Sequence, residues 1–235
     1  MCKGGGFPCY AYKLAIGRLK TRYQANTITA PPIGPVSFTI LSEHPFYPRF
    51  WPERVYEPAH CRKPSKIFVV DMGELFGDWI PLKWQEVIFQ TIISCPQHTF
   101  QLLTKQPQNL IKWSPFPENC WVGVTITNNE TLLRSTTNLG YIDAKVKFIS
   151  FEPLLERLPL PYYQMNCDWL IIGAQTRPYK SPKIEWIREI VEAADEVGIS
   201  VFLKDNLKPI LPLSKPFYNW DDDFGWKLRQ EMPGK

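Results

Sequence analysis

No stretch of this chain approaches the ~20 consecutive apolar residues that a membrane helix needs, and its start carries no basic-then-apolar leader. A cytoplasmic protein with no membrane partner is the expectation, and there the six cysteines read as reduced thiols. Histidine is scarce. His44, His60 and His98 show no HxH, HExxH or HxxxH spacing, which argues against a zinc hydrolase. A Walker A loop, a GxSxG elbow and a GxGxxG turn after a strand are also absent, so the familiar nucleotide and hydrolase signatures are missing. Charge of one sign is not concentrated either. The net charge of +4 and isoelectric point near 8.7 are compatible with an anionic partner without requiring one. Arg18, Lys20 and Arg22 form the densest basic group, and a solvated helix face explains them as well as nucleic-acid binding does.

What is present points to one soluble globular domain spanning residues 1–235: 44% hydrophobic, 21% charged and long enough to bury a sizeable core. From Ser65 onward, short apolar runs alternate with helical patterns. The runs are Lys66–Asp71, Thr99–Thr104, Cys120–Thr125, Val146–Phe151, Asp168–Gly173 and Ser200–Lys204. Being nearly continuously apolar, they suit strands covered on both faces, as in a parallel sheet. Leu82–Ser94 carries an apolar stripe at helical spacing behind Pro81, and Ile184–Val197 does the same before Gly198. Asn128–Leu139 and Pro107–Trp113 are shorter helical candidates. The alternation predicts an α/β fold of right-handed βα units, with too few strands for a closed eight-stranded barrel. Four regions follow: 1–26 with two cysteines and a first helix, a proline- and aromatic-rich excursion at 27–64, βα repeats at 65–206, and a C-terminal cap or lid at 207–235.

In such folds the chemistry collects where the strands finish. Each predicted strand delivers a polar group there: Asp71 with Gly73 and Glu74, Lys105, Thr125, Glu152, Gln175, and Lys204. Asp71, Lys105, Glu152 and Lys204 would offer opposed charges able to hold a zwitterion or to move a proton. Each also has a plainer role. Asp71 would cap a turn, Lys105 and Glu152 would form an ion pair in the barrel mouth, and Lys204 would snorkel. As a group they point to a site. A lysine among them could also serve as a Schiff-base nucleophile.

Cys2 and Cys9 flank Gly4, Gly5 and Gly6, whose freedom would let two sulfurs converge on one metal. By spacing alone, two free thiols is the plainer interpretation.

The segments CYAYKLA, PFYPRFWPERV, KIFVVDMGELFGDWIP, CPQHTFQLLTKQPQNL, NCWVGVTI, VKFISFEPLL, DWLIIGAQT and VFLKDNL, in that order, resemble the phage gene-product thirty-seven/sixty-eight family. That family in turn resembles the radical SAM superfamily. The resemblance runs from Cys9 to about Leu207, and its most specific parts are Leu103-Thr104-Lys105-x-Pro107 and Ser150-x-Glu152-Pro153-Leu154. It implies a partial (β/α) barrel of the radical SAM type, holding a 4Fe–4S cluster on three cysteines and S-adenosylmethionine at the remaining iron. Reductive cleavage would then give a 5′-deoxyadenosyl radical that abstracts hydrogen from a substrate, with flavodoxin or ferredoxin as electron donor. Cys9 matches the last cluster cysteine and Cys2 the middle one. Lys105, Glu152 and Lys204 would be the catalytic residues, with Asp71, Gly73, Glu74, Thr125 and Gln175 around the cofactor. The substrate expected is unknown in identity, with nucleic acid or a modified nucleotide among the candidates. Two departures stand out. Gly173-Ala174-Gln175-Thr176 replaces a Gly-Gly-Glu-Ser turn and so lacks its carboxylate, and the first strand and first cluster cysteine are not found, as if the cluster loop were truncated. A non-catalytic nucleic-acid-binding accessory of a phage, using Tyr47–Arg54 with Arg18, Lys20 and Arg22, is the alternative.

Overall fold

The computed structural model describes residues 9–32, 43–159 and 165–234. Two short helices, α1 (Tyr10–Ile16) and α2 (Lys20–Ala25), lead into the proline-rich excursion, which carries the one-turn helices α3 (Pro52–Val55) and α4 (Glu57–His60). The βα repeats follow as β1 (Lys66–Phe68), α5 (Leu82–Ser94), β2 (Thr99–Thr104), a 3₁₀ helix (Pro107–Trp113), β3 (Cys120–Thr125), α6 (Asn129–Gly140), β4 (Val146–Phe151) and β5 (Trp169–Ile172). A two-residue hairpin, β6 (Gln175–Thr176) with β7 (Tyr179–Lys180), precedes α7 (Ile184–Glu196) and β8 (Ser200–Leu203). A 3₁₀ turn (Asp205–Leu207) and the hairpin β9 (Tyr218–Asp221) and β10 (Gly225–Leu228) complete the chain.

Six strands pair in the order β1-β2-β3-β4-β5-β8, all parallel. Each new strand therefore lies beside the preceding one, and the sheet curls into a half-barrel with helices outside. Sequence and structure agree on β2, β3, β4 and α5 to the residue. The first strand is shorter than its apolar run, because Val70 turns the chain at φ 57, a conformation a β-branched residue adopts only under strain. Pro107–Trp113 winds as a 3₁₀ helix, the tighter form used in short connections. At the end of α7, Gly198 sits at φ 71, the left-handed conformation glycine takes without a Cβ penalty.

Strand alternation divides the sheet into two faces. Phe100, Leu102, Val122, Val124, Ile149, Phe151, Leu170, Ile172, Val201 and Leu203 face outward into one core with Phe89 and Ile92 of α5, Leu139 of α6, and Ile187, Ile190, Val191 and Ala194 of α7. The alternate residues fill the concave face. Trp169 packs edge-on against Trp121 at 5.8 Å and Phe202 at 5.9 Å, and tilted against Phe148 at 5.6 Å. Gly123 makes room for this layer, since a Cβ there would lie 2.4 Å from the Phe148 ring. Burying a ring of this kind is worth about 2–3 kcal/mol, so these aromatics anchor the lower part of the concave face, where Lys66 Nζ also lies over the Trp121 ring. The C-terminal rim gathers the polar strand ends.

The tail from Leu207 is an edge cover more than a lid. Residues 229–231 run antiparallel to β8, with Leu203 N–H donating to the Arg229 carbonyl (2.8 Å) and Glu231 N–H to that of Val201 (2.9 Å). This satisfies an otherwise open sheet edge. Arg229 is buried between Asp195 and Glu231, both at 2.7 Å. Burial works against its charge, but the two carboxylates more than offset this and hold the guanidinium above its ordinary value. The excursion packs on α5 through the stacked Phe50 and Trp84, 5.2 Å apart. His98 pins it from below. Its Nδ1 accepts from Ser65 N–H (3.1 Å) and its Nε2 lies 3.0 Å from the Pro58 carbonyl, so this buried histidine is fully employed in structure.

Candidate ligand-binding mouth

At the C-terminal ends of β4, β5 and β8, alternation and register stack the concave side chains into rows. One row runs from Thr125 to Ser150, which are paired neighbours, and the next from Glu152 past Gly173 to Lys204. Strand β5 separates the strands of Glu152 and Lys204, so the two side chains meet only because Gly173 lies between them. Lys204 Nζ is 2.5 Å from Glu152 Oε1. A Cβ at Gly173 would stand 2.8 Å from that oxygen and 3.3 Å from Lys204 Cδ. The second carboxylate oxygen accepts from Ser150 Oγ at 3.0 Å. Glu152 thus pairs with Lys204, correcting the expected Lys105–Glu152 ion pair, and Lys204 does not merely snorkel.

Beside this chain stands an unusual group. Thr125 is only 5% exposed, and its hydroxyl makes no hydrogen bond to another described protein group. A buried hydroxyl with no partner costs about 1–3 kcal/mol. A buried group of this kind calls for an explanation, which a water, an ion or a ligand would each supply.

Glu74 is drawn into a different role. Its carboxylate accepts from Thr104 Oγ1 (2.7 Å), Lys105 N–H (3.0 Å) and Phe76 N–H (3.0 Å), latching the loop after β1 to the end of β2. Thr104, one of the most specific positions of the sequence pattern, in turn accepts from Gln106 N–H at 2.8 Å. Gly73 closes the turn after Val70, whose Cγ1 would lie 2.9 Å from a Cβ at that position. Gln175 holds its own hairpin through the Pro178 carbonyl (2.8 Å). Lys105 lies half-buried at the end of β2, fixed by its backbone.

Asp71 and Cys9 lie toward the rim. The Tyr10 hydroxyl donates to the Asp71 carbonyl and ties the start of α1 to the loop after β1. Burial, followed by the negative charges of Asp71, Cys9 and Glu152, pushes the Tyr10 phenol above its ordinary value. Cys9 Sγ caps α1 by accepting from Tyr12 N–H at 3.5 Å. Cys2 lies outside the described residues. Among the described residues no three His, Cys, Asp or Glu side chains come together to hold a metal, and no helix is long and apolar enough to cross a membrane.

Sequence inspection missed three contributors. Tyr10 and Gly173 were visible only as parts of larger patterns. Asn206 exchanges two hydrogen bonds with Ala174 (3.1 and 2.9 Å) and so fixes the loop after β5, a contact 32 residues apart that no local signal announces. Two clefts open away from the mouth, one of about 970 Å³ beside the β9–β10 hairpin and one of about 500 Å³ near Phe76, Asn109 and Trp113. Neither gathers charged groups from several strand ends, so the mouth is the better candidate.

Fold and site together define an α/β half-barrel protein with a polar, charge-paired mouth at its strand ends. The family is known as well. Residues 2–208 match the family described as Protein of unknown function (DUF5131), and the chain belongs to it. No curated protein and no solved structure matches the chain.

Proposed function

We propose that the mouth binds S-adenosylmethionine by its amino-acid end, in a protein of radical-SAM-like architecture. The observation that carries this is the orphaned Thr125 hydroxyl beside the Ser150–Glu152–Lys204 chain. A zwitterion suits such a site. Its ammonium would replace Lys204 at Glu152 and its carboxylate would replace Glu152 at Lys204, so neither protein charge is left without an opposite. Thr125 would gain the hydrogen bond it lacks. Gly173 supplies the space between the two charged side chains, and Asn206 holds that loop still. The six-stranded parallel half-barrel, open at its strand ends, is the kind of scaffold that such chemistry uses.

The cluster is a separate matter. When bound to S-adenosylmethionine, a 4Fe–4S centre supplies the electron for reductive cleavage. Among the described residues Cys9 is the one thiol near the mouth, with Cys61, Cys95, Cys120 and Cys167 placed elsewhere in the fold. The described residues therefore do not assemble a three-thiolate site, and the proposal assigns them no step through a cluster. What they do is bind, orient and neutralise.

Isothermal titration with S-adenosylmethionine, S-adenosylhomocysteine and methionine tests the proposal. Saturable binding of S-adenosylmethionine, weakened about 10- to 100-fold in Glu152→Gln, is expected, since hydrogen bonds to charged groups are worth about 1.5–3 kcal/mol. No binding, or equal binding by wild type and Glu152→Gln, would overturn it.

A further inference from the structure

The net charge of the chain is unevenly placed. Residues 9–68 hold nine lysines and arginines against three glutamates, more than the whole chain's net +4. Along the sequence these cations look scattered, but the fold gathers several of them at the rim. Arg22 of α2 lies over the Trp51 ring, 5.4 Å from its centroid, and Tyr23 meets the same ring edge-on at 5.7 Å. Arg54 of α3 faces this group and shares its guanidinium with Glu57 at 3.2 Å. That is the one ion pair of these helices among the described residues. Arg18, Lys20 and Arg22 are exposed. Aromatic faces are exposed alongside them: Tyr10 is 55% and Tyr56 56% accessible.

This rim adjoins the mouth. Burial and the Asp71 carboxylate raise the Tyr23 phenol, while Arg54 and Arg22 pull it back, so the cations and the loop after β1 share one neighbourhood. Tyr10 bonds to that same loop.

We propose that the rim binds single-stranded nucleic acid and leads it past the strand-end mouth. Spaced cations meet phosphates, and accessible tyrosines with the Arg22–Trp51 pair offer the stacking surfaces that unpaired bases use. Duplex DNA, whose bases are stacked inward, would leave those rings without partners. The inference stands whether or not the mouth takes S-adenosylmethionine.

Fluorescence anisotropy with labelled oligothymidylate and oligouridylate tests it on the full chain. Contacts from Arg18, Lys20 and Arg22 predict a slope of about −2 in log K against log salt, from roughly −0.7 per phosphate. Lys20→Glu with Arg22→Glu, both at exposed positions, should weaken binding at least about tenfold and flatten that slope. Preference for one oligomer decides between DNA and RNA. The same double variant should bind S-adenosylmethionine as wild type does, which separates failure at the rim from failure at the mouth. No binding at low salt, binding indifferent to the double charge reversal, or equal salt-sensitive binding to phosphatidylserine vesicles and oligomers would overturn the proposal.

Discussion

Replacing Glu74 by alanine removes the acceptor of three hydrogen bonds at once. Thr104 suffers most: its hydroxyl belongs to a residue 1% exposed, and its proton would have no acceptor. Leaving a buried donor unpaired costs about 1–3 kcal/mol. Phe76, whose N–H now bonds at 3.0 Å, is as buried as Thr104, whereas Lys105 is half-buried, so water recovers part of the loss only there. Taking about 1.5 kcal/mol for Thr104, about 1 for Phe76 and about 0.5 for Lys105, the total comes to about 3 kcal/mol. For a domain of this size, that lowers Tm by roughly 6–12 °C. Glu74→Gln should lose about half as much, because its amide oxygen still accepts while its NH₂ opposes one donor. Thermal and urea denaturation read this directly, and titration of the folded protein with S-adenosylmethionine separates structure from binding. A Glu74→Ala variant as stable as wild type but unable to bind ligand would refute the latch and return Glu74 to the cofactor.

Three further outcomes are expected. Gly173→Ala should push Glu152 and Lys204 apart, since its Cβ would stand 2.8 Å from Glu152 Oε1. The pair is partly exposed, so stability should fall by only about 1 kcal/mol while ligand affinity falls more, as seen by calorimetry. Burial pushes the Cys120 thiol up to about 12 from 9.0. The unfolded chain ionises there near pH 9 and the folded one does not, so stability is unaffected below pH 9. Above it, up to about 1.4 kcal/mol is lost per pH unit until about pH 12; unchanged urea midpoints between pH 8 and about 10.5 would contradict this. Val70→Gly should stabilise the fold by about 1 kcal/mol by relieving the strained φ of 57, and a lowered Tm would show that its side-chain packing outweighs the strain.

The strands were legible because burial on both faces leaves a nearly continuous apolar run, which polar loops cannot imitate. The polar residues at their ends were legible for the same reason, as abrupt breaks in those runs. Their partnerships were not. Glu152 meets Lys204 across an intervening strand, and only register and the missing side chain of Gly173 bring them together. Glu74 looked like a free carboxylate, because its three donors come from 2 to 31 residues away. The apolar run Lys66–Asp71 promised a six-residue strand, and the turn at Val70 ended the strand at Phe68. The basic group Arg18, Lys20 and Arg22 was legible as a local cluster, but its approach to Trp51 and Arg54 was not, since these come from the excursion and meet it only in the fold.

Thr125→Val tests the mouth most directly. The change keeps the shape of the side chain and deletes only a buried hydroxyl that bonds to no other described protein group. If that hydroxyl awaits a ligand, the free variant should be as stable as wild type or more so, by up to about 1 kcal/mol. Its affinity for S-adenosylmethionine should fall about 5- to 10-fold. A variant that binds S-adenosylmethionine as tightly as wild type, or that loses stability without ligand, would contradict the proposed mouth.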